Sequence, residues 1–344
     1  MTSRFSYRIH DIVELAVEVG RFQNYPTQRL AAFEVNGVLN PVVKVQIAGA
    51  TPDLETQPCG GEYCQGHHLL HWRGSRKLAV WEVGMTSPDA DPSLVHFRGN
   101  PFAGKHLLFQ VLEPLLNYKL CARGYVLLHA SAVSRAGNAQ VFSGYPGSGK
   151  TSIALHLLDR DASGFLADEL TILSRDGSVY SYPTKIDLFS YTVANCPFLR
   201  KRLGMLSKAN LLAKTMIGKL SGGFIKSPLS VDANVLFRDA KVIDKGALSS
   251  VHLVSTSPTG FFQMRSVDPA HVVEQLISIS KFQFRYFENW ITADAPYLAK
   301  SNWRTYKRVL VEALQEVPCY EIQLPSSLSL QADRIMDSIE TVLD

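Results

Sequence analysis

The chain has 344 residues, of which 46% are hydrophobic and 19% are charged, with 35 basic and 31 acidic residues. This length predicts roughly two domains, and the net charge of +4 is too small to indicate a nucleic-acid partner. No apolar run reaches the roughly 18 residues of a membrane span, no signal-peptide core follows the N-terminus, and five irregularly spaced cysteines do not predict a disulfide framework. We therefore expect a cytoplasmic protein without a transmembrane segment.

Residues 1–100 are predicted to form a small β-rich N-terminal domain. Four runs in this region are rich in β-branched and aromatic residues, and polar or Gly/Pro-containing stretches separate them. The runs cover residues 12–19, 41–47, 68–72 and 78–83.

Cys59, Cys64, His67 and His68 lie close together in this N-terminal region. Cysteine and histidine are common zinc ligands, but a structural zinc site is usually built from two ordered ligand pairs. The spacing C-x₄-C-x₂-H-H does not form such pairs. A polar loop is therefore the favoured interpretation, and a metal site is the alternative.

The second predicted domain covers residues 101–344. It begins with a helix over residues 102–121, where apolar residues recur at helical spacing, and Pro114 predicts a kink within this helix. A strand is predicted over residues 125–133, and a turn follows at residues 136–138.

Residues 144–151 read G-Y-P-G-S-G-K-T and fit the phosphate-binding motif G-x-x-x-x-G-K-[ST]. The apolar run at residues 139–143 predicts a strand before the loop, and residues 152–158 predict a helix after it. In such a loop, backbone N–H groups and the helix N-terminus face the phosphates, while Lys150 reaches the β- and γ-phosphates and Thr151 binds Mg²⁺. We expect ATP or a related nucleotide to be bound by Gly144, Tyr145, Pro146, Gly147, Ser148, Gly149, Lys150, Thr151 and Ser152.

Asp168 and Glu169 lie within an apolar run at residues 164–173, which predicts a buried strand. A carboxylate inside such a strand is unfavourable unless it is paired, protonated or bound to a metal. A structural salt bridge is the alternative to a functional role. The acidic pair follows Thr151 after only one short helix, earlier than the metal-binding acidic strand of most phosphate-loop ATPases.

The stretch from about residue 195 to 230 is predicted to be a basic helical insert with two short amphipathic helices and a hinge at Gly222-Gly223. Three roles stay open: a solvated insert, a lid or acceptor-docking element over the phosphates, and a membrane-surface helix. Residues 188–231 contain no Asp or Glu but seven basic residues, which are Arg200, Lys201, Arg202, Lys208, Lys214, Lys219 and Lys226.

The rest of the chain alternates between predicted strands and helices, as is typical of an α/β domain. Strands are predicted at residues 251–254 and 319–324. One helix is predicted to start at Pro269, a second to cover residues 303–313, and a third to close the chain over residues 328–343.

Three segments resemble the HPr serine kinase/phosphorylase family, and most of all its HPr-kinase-related branch. They are Leu128–Val133, Gly144–Thr151 and Phe165–Glu169. That family shows a strand with a histidine, then G-x-S-G-x-G-K-[ST], then an acidic pair, and ATP-dependent phosphoenolpyruvate carboxykinases share the arrangement. The resemblance implies an α/β fold with a phosphate-loop (P-loop) kinase core of the HPr kinase/PEP carboxykinase type.

The resemblance also implies a role for each matching residue. Lys150 would stabilise the migrating phosphoryl group, and Asp168 would be the base that orients and deprotonates the acceptor hydroxyl. His129 would lie near Asp168 and tune its pKa. The metal ligands would be Thr151, Asp168 and Glu169.

The sequence departs from the family pattern at Tyr145-Pro146 and at Glu169, where the family usually carries a second Asp. It also has no counterpart to the Gly- and Arg-rich segment that follows the core of HPr kinase/phosphorylases. The resemblance therefore gives no support for a phosphorylase reaction or for HPr as the substrate, and both stay open.

We expect an ATP- and Mg²⁺-dependent kinase that transfers the γ-phosphoryl group to a hydroxyl, foremost a serine of a protein or peptide. The acceptor is expected to be acidic if the basic insert docks it. A kinase for a small hydroxyl-bearing molecule and a nucleotide-binding regulatory module without transfer chemistry are the alternatives, and a carboxykinase-like lyase is a more distant one. No nucleic-acid partner is expected, and a homo-oligomer is compatible with the sequence.

Overall fold

The protein is a mixed α/β structure in which two large mixed β-sheets and one two-stranded sheet are accompanied by helices. The α/β class expected from the sequence is therefore confirmed. The computed structural model describes residues 3–20, 29–47, 70–160, 164–225, 227–237, 241–257, 260–325 and 332–341.

The strands are numbered here in chain order through the described residues. They are β1 Ser3–Ile9, β2 Val13–Val19, β3 Glu34–Val35, β4 Val43–Ile47, β5 Leu70–Arg76, β6 Ala79–Met85, β7 Ser93–Gly99, β8 Tyr125–Leu128, β9 Ala130–Arg135, β10 Asn138–Ser143, β11 Gly164–Ala167, β12 Thr171–Ser174, β13 Ser178–Tyr180, β14 Ile186–Leu188, β15 Leu229–Val231, β16 Lys245–Thr256, β17 Gln263–Ser266 and β18 Cys319–Leu324.

The helices are numbered in the same way, and within the described residues none combines the length and the apolar character that a bilayer span requires. They are α1 Gly104–Leu107, a π-helical segment Leu108–Leu112, α2 Glu113–Cys121, α3 Lys150–Arg160, α4 Ser190–Asn195, α5 Leu199–Arg202, α6 Met205–Leu220, α7 Ala233–Leu236, α8 Pro269–Gln283, α9 Arg285–Asp294, α10 Pro296–Ala313 and α11 Ala332–Thr341.

The chain divides into two compact units, and their boundary differs from the predicted one. The first unit combines Met1–Val126 with Lys281–Val309, and the second combines Leu127–Ser280 with Leu310–Asp344. The predicted N-terminal domain ended at residue 100. The helices up to residue 121 and a segment that returns much later in the sequence thus belong to the first unit.

Side-chain contacts explain why these helices join the first unit. The ring of Trp81 in β6 stacks on His106 of α1 with the centroids 4.4 Å apart. The buried carboxylate of Glu288 in α9 accepts hydrogen bonds from Trp303 Nε1 at 2.6 Å and from Tyr118 Oη at 3.4 Å. Such aromatic and polar pairs join positions that are far apart in the sequence. They cannot therefore be predicted from local composition.

The sheet of the first unit has the order β3-β1-β2-β4-β7-β6-β5. Its centre is parallel, with β2 paired to β4 and β4 to β7, whereas the outer pairs are antiparallel. Val13, Leu15, Val17 and Val19 are buried while the residues between them are half-buried, as the two-residue period of a strand requires. The predicted strands of this region are confirmed where they fall on described residues.

Pro114 lies in the first turn of α2, and a π-helical segment, Leu108–Leu112, directly precedes that helix. Proline provides no backbone N–H and its ring crowds the preceding turn, so a local change in helical pitch accommodates it. The sequence predicted a kink at this residue, and the structure shows a π-helical segment just before it.

The sheet of the second unit has the order β11-β9-β10-β16-β13-β12-β8, and β18 pairs with β16 and β17. Strands β10, β16 and β18 are parallel to one another. Helices α3 and α11 contact each other, and Ile153, Leu157 and Met336 join the same buried cluster as Phe142 and Ile322 of the sheet. This core fixes α3 beside the carboxyl end of β10.

Two predicted strands are each divided in the structure. Residues 125–133 form β8 and β9 with His129 between them, and residues 164–173 form β11 and β12 with residues 168–170 between them. Within the second sheet β11 lies beside β9, whereas β12 lies between β13 and β8. The expectation of one continuous strand was wrong in both places, because each apolar run passes from one strand position to another.

His252 of β16 is a fully buried histidine between two aromatic rings. Its ring stacks on Phe142 at 4.7 Å and on Tyr320 at 5.3 Å between centroids, and Ser250 Oγ lies 2.9 Å from its Nε2. Burial lowers the pKa of His252 from 6.5 to about 3. The side chain is therefore neutral in the folded protein at every ordinary pH.

Replacing His252 with Phe is expected to flatten the acid side of the stability profile. The neutral histidine contributes fully to the free energy of unfolding above the pKa of the unfolded state. This contribution falls as the pH drops from 6.5 towards 3, because the unfolded chain then binds a proton that the folded chain does not. The free energy of unfolding of the wild type should change with pH more steeply than that of His252→Phe, by up to about 1.4 kcal/mol per pH unit. Urea unfolding at about pH 7, 6 and 5 measures both slopes. The exposed His271→Phe is the control, and parallel wild-type and His252→Phe profiles would contradict the expectation.

Candidate active site

The loop between β10 and α3 contains two glycines with left-handed backbone conformations. Gly147 and Gly149 have φ values of 85° and 102°, which lie in the left-handed region that glycine adopts without strain. Helix α3 begins at Lys150, so its N-terminal N–H groups border the loop. The strand, loop and helix predicted around residues 139–158 are confirmed.

Gly144 is required by the packing of the strands rather than by its own φ angle. A Cβ at this position would lie 2.2 Å from the carbonyl oxygen of Val254 in β16 and 2.7 Å from Ser148 Oγ. The main chains of β10 and β16 therefore approach closely at the point where the loop begins.

Gly144→Ala is expected to lower the free energy of unfolding by roughly 1–3 kcal/mol, because one of two paired strands must shift to relieve the overlap. Gly204→Ala is the matched control, since a Cβ at Gly204 meets no atom within 4 Å. Urea unfolding of both variants measures the difference. Equal stabilities would show that the contact between Gly144 and Val254 is not limiting.

Lys150 is buried at the start of α3, and its ammonium group lies over the loop. Nζ donates to the carbonyl oxygens of Gly144 at 2.7 Å and Tyr145 at 3.2 Å. Burial lowers the pKa of Lys150 to about 8, while the charges of Asp168 and Glu169 oppose that shift. The amine is thus positively charged at neutral pH, next to the glycine loop.

Asp168 is a buried carboxylate that the loop contacts directly. Its Oδ1 accepts a hydrogen bond from Thr151 Oγ1 at 2.8 Å and a second from Ser131 Oγ at 2.6 Å. Burial and the neighbouring charge of Glu169 raise its pKa, while Ser131, Thr151 and Lys150 lower it. Two hydroxyl groups therefore fix the orientation of this carboxylate beside the last residue of the loop motif.

Glu169 turns the chain immediately after Asp168. Its φ of 73° is left-handed, which is unusual for a residue with a side chain. The carbonyl oxygen of Glu169 accepts the N–H of Ala130 at 3.1 Å, and the carbonyl oxygen of Asp168 accepts Thr184 Oγ1 at 3.1 Å. Backbone strain at a site of paired acids is a feature that often accompanies function.

His129 lies at the break between β8 and β9, close to both the loop and the acidic turn. Its carbonyl oxygen accepts Ser143 Oγ at 2.9 Å, and the next residue, Ala130, is the one that bonds to Glu169. The His129 side chain is buried. The backbone thus places His129 next to the end of β10 and to the acidic turn. The role implied for its side chain, which is to tune the pKa of Asp168, stays a prediction.

The other residues of the predicted nucleotide site lie in the loop itself and in the first turn of α3. Tyr145 is exposed, and its hydroxyl lies 3.0 Å from Ser278 Oγ of α8. Pro146 is exposed at the tip, whereas Ser148 and Ser152 are buried. The Ser148 N–H donates to the carbonyl oxygen of Tyr145 at 3.1 Å, which closes the turn of the loop.

Three residues of this site were not found from the sequence. Ser131 and Thr184 bond to Asp168, and Tyr191 of α4 has its pKa raised by burial and then by the charges of Asp168 and Glu169. Ser131 follows His129 by two residues, so both could have been assigned to one face of a strand. Thr184 and Tyr191 carried no sequence signal.

The oxygen atoms at the loop suit Mg²⁺. Thr151 and Asp168 present a hydroxyl and a carboxylate 2.8 Å apart, and Mg²⁺ in proteins is commonly held by one or two carboxylates together with substrate phosphates. Within the described residues no group of three or more His, Cys, Asp or Glu could hold a metal. Cys59, Cys64, His67 and His68 lie outside those residues.

No family model matches this chain, and no curated protein matches its sequence significantly.

Proposed function

We propose that the protein is an ATP- and Mg²⁺-dependent kinase with a P-loop core and Asp168 as its base. The observation that carries this proposal is the buried Asp168 carboxylate, held 2.8 Å from the Thr151 hydroxyl of the phosphate-binding loop. A nucleotide-binding module also uses a carboxylate beside the loop as a metal ligand, but a carboxyl group whose pKa is raised by burial is in addition suited to accept a proton. Perturbed carboxylates beside a binding loop are typical of catalytic sites.

Each residue of the proposed site has a separate task. The loop N–H groups and Lys150 bind the phosphates, and Lys150 balances the negative charge on the transferred group. Mg²⁺ held by Thr151, with help from Asp168 and Glu169, would neutralise further charge on the phosphates. Asp168 orients the acceptor hydroxyl and takes its proton, for which its raised pKa is suited.

Ser131 and His129 support the carboxylate in this proposal. Ser131 fixes the orientation of Asp168 through the 2.6 Å hydrogen bond, and His129 borders the acidic turn through Ala130 and Ser143. Phosphoryl transfer depends mostly on positioning and charge stabilisation. Groups that hold the base in place are therefore part of the proposed machinery.

The proposed acceptor is a serine hydroxyl of a protein or peptide, and a small hydroxyl-bearing molecule is the second candidate. Tyr191 of α4 is exposed, and burial followed by the charges of Asp168 and Glu169 raises the pKa of its hydroxyl. Entry of the acceptor beside α4 is part of the proposal. The basic insert would favour an acidic acceptor. A cytoplasmic location and the use of ATP rather than GTP belong to the same proposal.

Incubation with γ-labelled ATP, Mg²⁺ and a cell extract tests the proposal. Labelled serine in a protein or peptide would support the first acceptor class, and a labelled small molecule would support the second. Nucleotide binding without any transferred label, unchanged in Asp168→Asn, would favour a regulatory module. Omission of Mg²⁺ is expected to abolish the label.

A further inference from the structure

Helix α6 (Met205–Leu220) directs its apolar side away from the protein. At 100° per residue, one arc of roughly 140° carries only apolar side chains. Leu206 and Leu220, near the two ends of α6, are 89% and 85% exposed. The arc comprises Met205, Leu206, Ala209, Leu212, Ala213, Met216, Ile217 and Leu220, and all eight are exposed.

The opposite side of α6 attaches the helix to the second unit. Ser207, Leu211, Lys214, Thr215 and Gly218 are the partly buried residues of α6, and none of its residues is fully buried. Lys214 Nζ donates to the carbonyl oxygen of Pro228 at 2.7 Å. A surface helix of a globular protein normally buries its apolar face. In α6 the apolar face is exposed instead, and the more polar face packs against the protein.

The chain after α6 also exposes apolar residues. The Gly223 N–H bonds to the Gly218 carbonyl oxygen at 2.8 Å, and Gly222 and Gly223 have positive φ values of 60° and 81°. These two glycines, predicted as a hinge, form the turn that ends the helix. Phe224 and Ile225 follow and are half-exposed.

The charged residues of α6 and of the segments that flank it in the sequence all have the same sign. Arg200, Lys201, Lys208 and Lys219 are exposed, and residues 188–231 contain no Asp or Glu. On the helical wheel, Lys208 and Lys219 lie along one edge of the apolar arc. Arg202 is different, because it pairs with Asp159 and lies over the ring of Phe237.

We propose that α6 and the following turn bind the surface of an anionic lipid bilayer. Large contiguous apolar surfaces mark interaction sites, and an apolar arc flanked by basic residues is the pattern of helices that lie in the headgroup region. A second copy meeting this face symmetrically would bring the basic residues together without an acid to pair them. The arc also presents no side-chain hydrogen-bonding group with which to select a protein partner.

Co-sedimentation with vesicles tests this proposal independently of any kinase activity. The wild type is expected to bind vesicles of mixed phosphatidylcholine and phosphatidylglycerol, more weakly at high salt, and to bind pure phosphatidylcholine poorly. Leu206→Gln/Leu220→Gln should lower the partition coefficient roughly tenfold or more. Lys208→Gln/Lys219→Gln should lower it roughly tenfold on the mixed vesicles only.

Phe261→Gln is the matched control, since Phe261 is an exposed apolar residue elsewhere in the second unit. It should bind mixed vesicles as the wild type does, and circular dichroism should show that all variants are folded. Failure of the wild type to bind mixed vesicles overturns the proposal, as does undiminished binding by Leu206→Gln/Leu220→Gln. A dimer in sedimentation equilibrium that this variant dissociates, or binding of polyglutamate in place of vesicles, would assign the surface to a second copy or to an acidic protein.

Discussion

Asp168→Asn is expected to lower phosphoryl transfer by roughly a thousandfold, within the range for loss of a general base. The asparagine oxygen can still accept the hydrogen bonds that Ser131 and Thr151 donate to Oδ1. The fold and the loop should therefore persist while the proton acceptor is lost. Initial rates with γ-labelled ATP and the identified acceptor measure the effect, and a fluorescent nucleotide measures binding, expected within about threefold of the wild type.

The pH profile adds a readout that a purely structural role of Asp168 would not move. Burial raises the pKa of this carboxyl, so wild-type kcat/KM should fall as the pH drops through that raised value, because the protonated acid accepts no proton. Asp168→Asn should lack this limb. Asp176→Asn, in an exposed turn of the same unit, is the matched control, and turnover near the wild-type rate in Asp168→Asn would refute the assignment of the base.

Lys150→Met should reduce transfer by about a thousandfold and weaken nucleotide binding at least about tenfold, since it removes the charge at the phosphates. Stability should change little, within about 1 kcal/mol, because burial already disfavours the charged amine, as its pKa of about 8 indicates. Titration with a nucleotide, label transfer and urea unfolding together separate these effects.

Two further variants sharpen the test of Lys150. Lys150→Arg keeps the charge but changes its geometry, so it should bind nucleotide better than Lys150→Met and still transfer poorly. Lys185→Met is the control, because Lys185 is a partly buried lysine that pairs with Asp232 at 3.6 Å. Equal nucleotide affinity in Lys150→Met and Lys185→Met would contradict a phosphate-binding role for Lys150.

The loop could be predicted from the sequence because its determinants are local. Gly147 and Gly149 adopt left-handed conformations. Glycine is the residue that adopts this conformation without strain, so the glycines before Lys150 indicate it directly in the sequence. The same holds for α8, where Asp268 Oδ1 accepts the N–H of Ala270 at 2.7 Å, as expected for a residue that caps a helix starting with proline.

The contacts of the site could not be predicted, because they join distant segments. The hydrogen bond from Ser131 to Asp168 joins residues that are 37 positions apart in the sequence. The hydrophobic periodicity of a strand or helix carries no information about such a contact. The breaks at His129 and after Ala167 were missed because neither break contains the Gly or Pro that usually marks a turn. At the second break, Glu169 adopts the left-handed conformation instead.

Helix α6 shows a different limit of sequence reasoning. An amphipathic pattern predicts that one face is apolar, but it does not say which way that face points. The structure shows that α6 packs against the protein through its partly buried side, centred on Leu211 and Gly218. Its apolar residues therefore face the solvent. A helix that packs its apolar face into a hydrophobic core would show the same pattern of residues.

The parallel pairing of β18 with β16 has a consequence for how the site forms during synthesis. A Cβ on Gly149 would lie 2.6 Å from a methyl carbon of Leu324, so the end of β18 packs against the glycine loop. The loop leaves the ribosome long before that strand does. Contacts between distant segments form only when the later segment is present. If the loop binds a nucleotide as proposed, a nascent chain should therefore do so only after β18 has emerged.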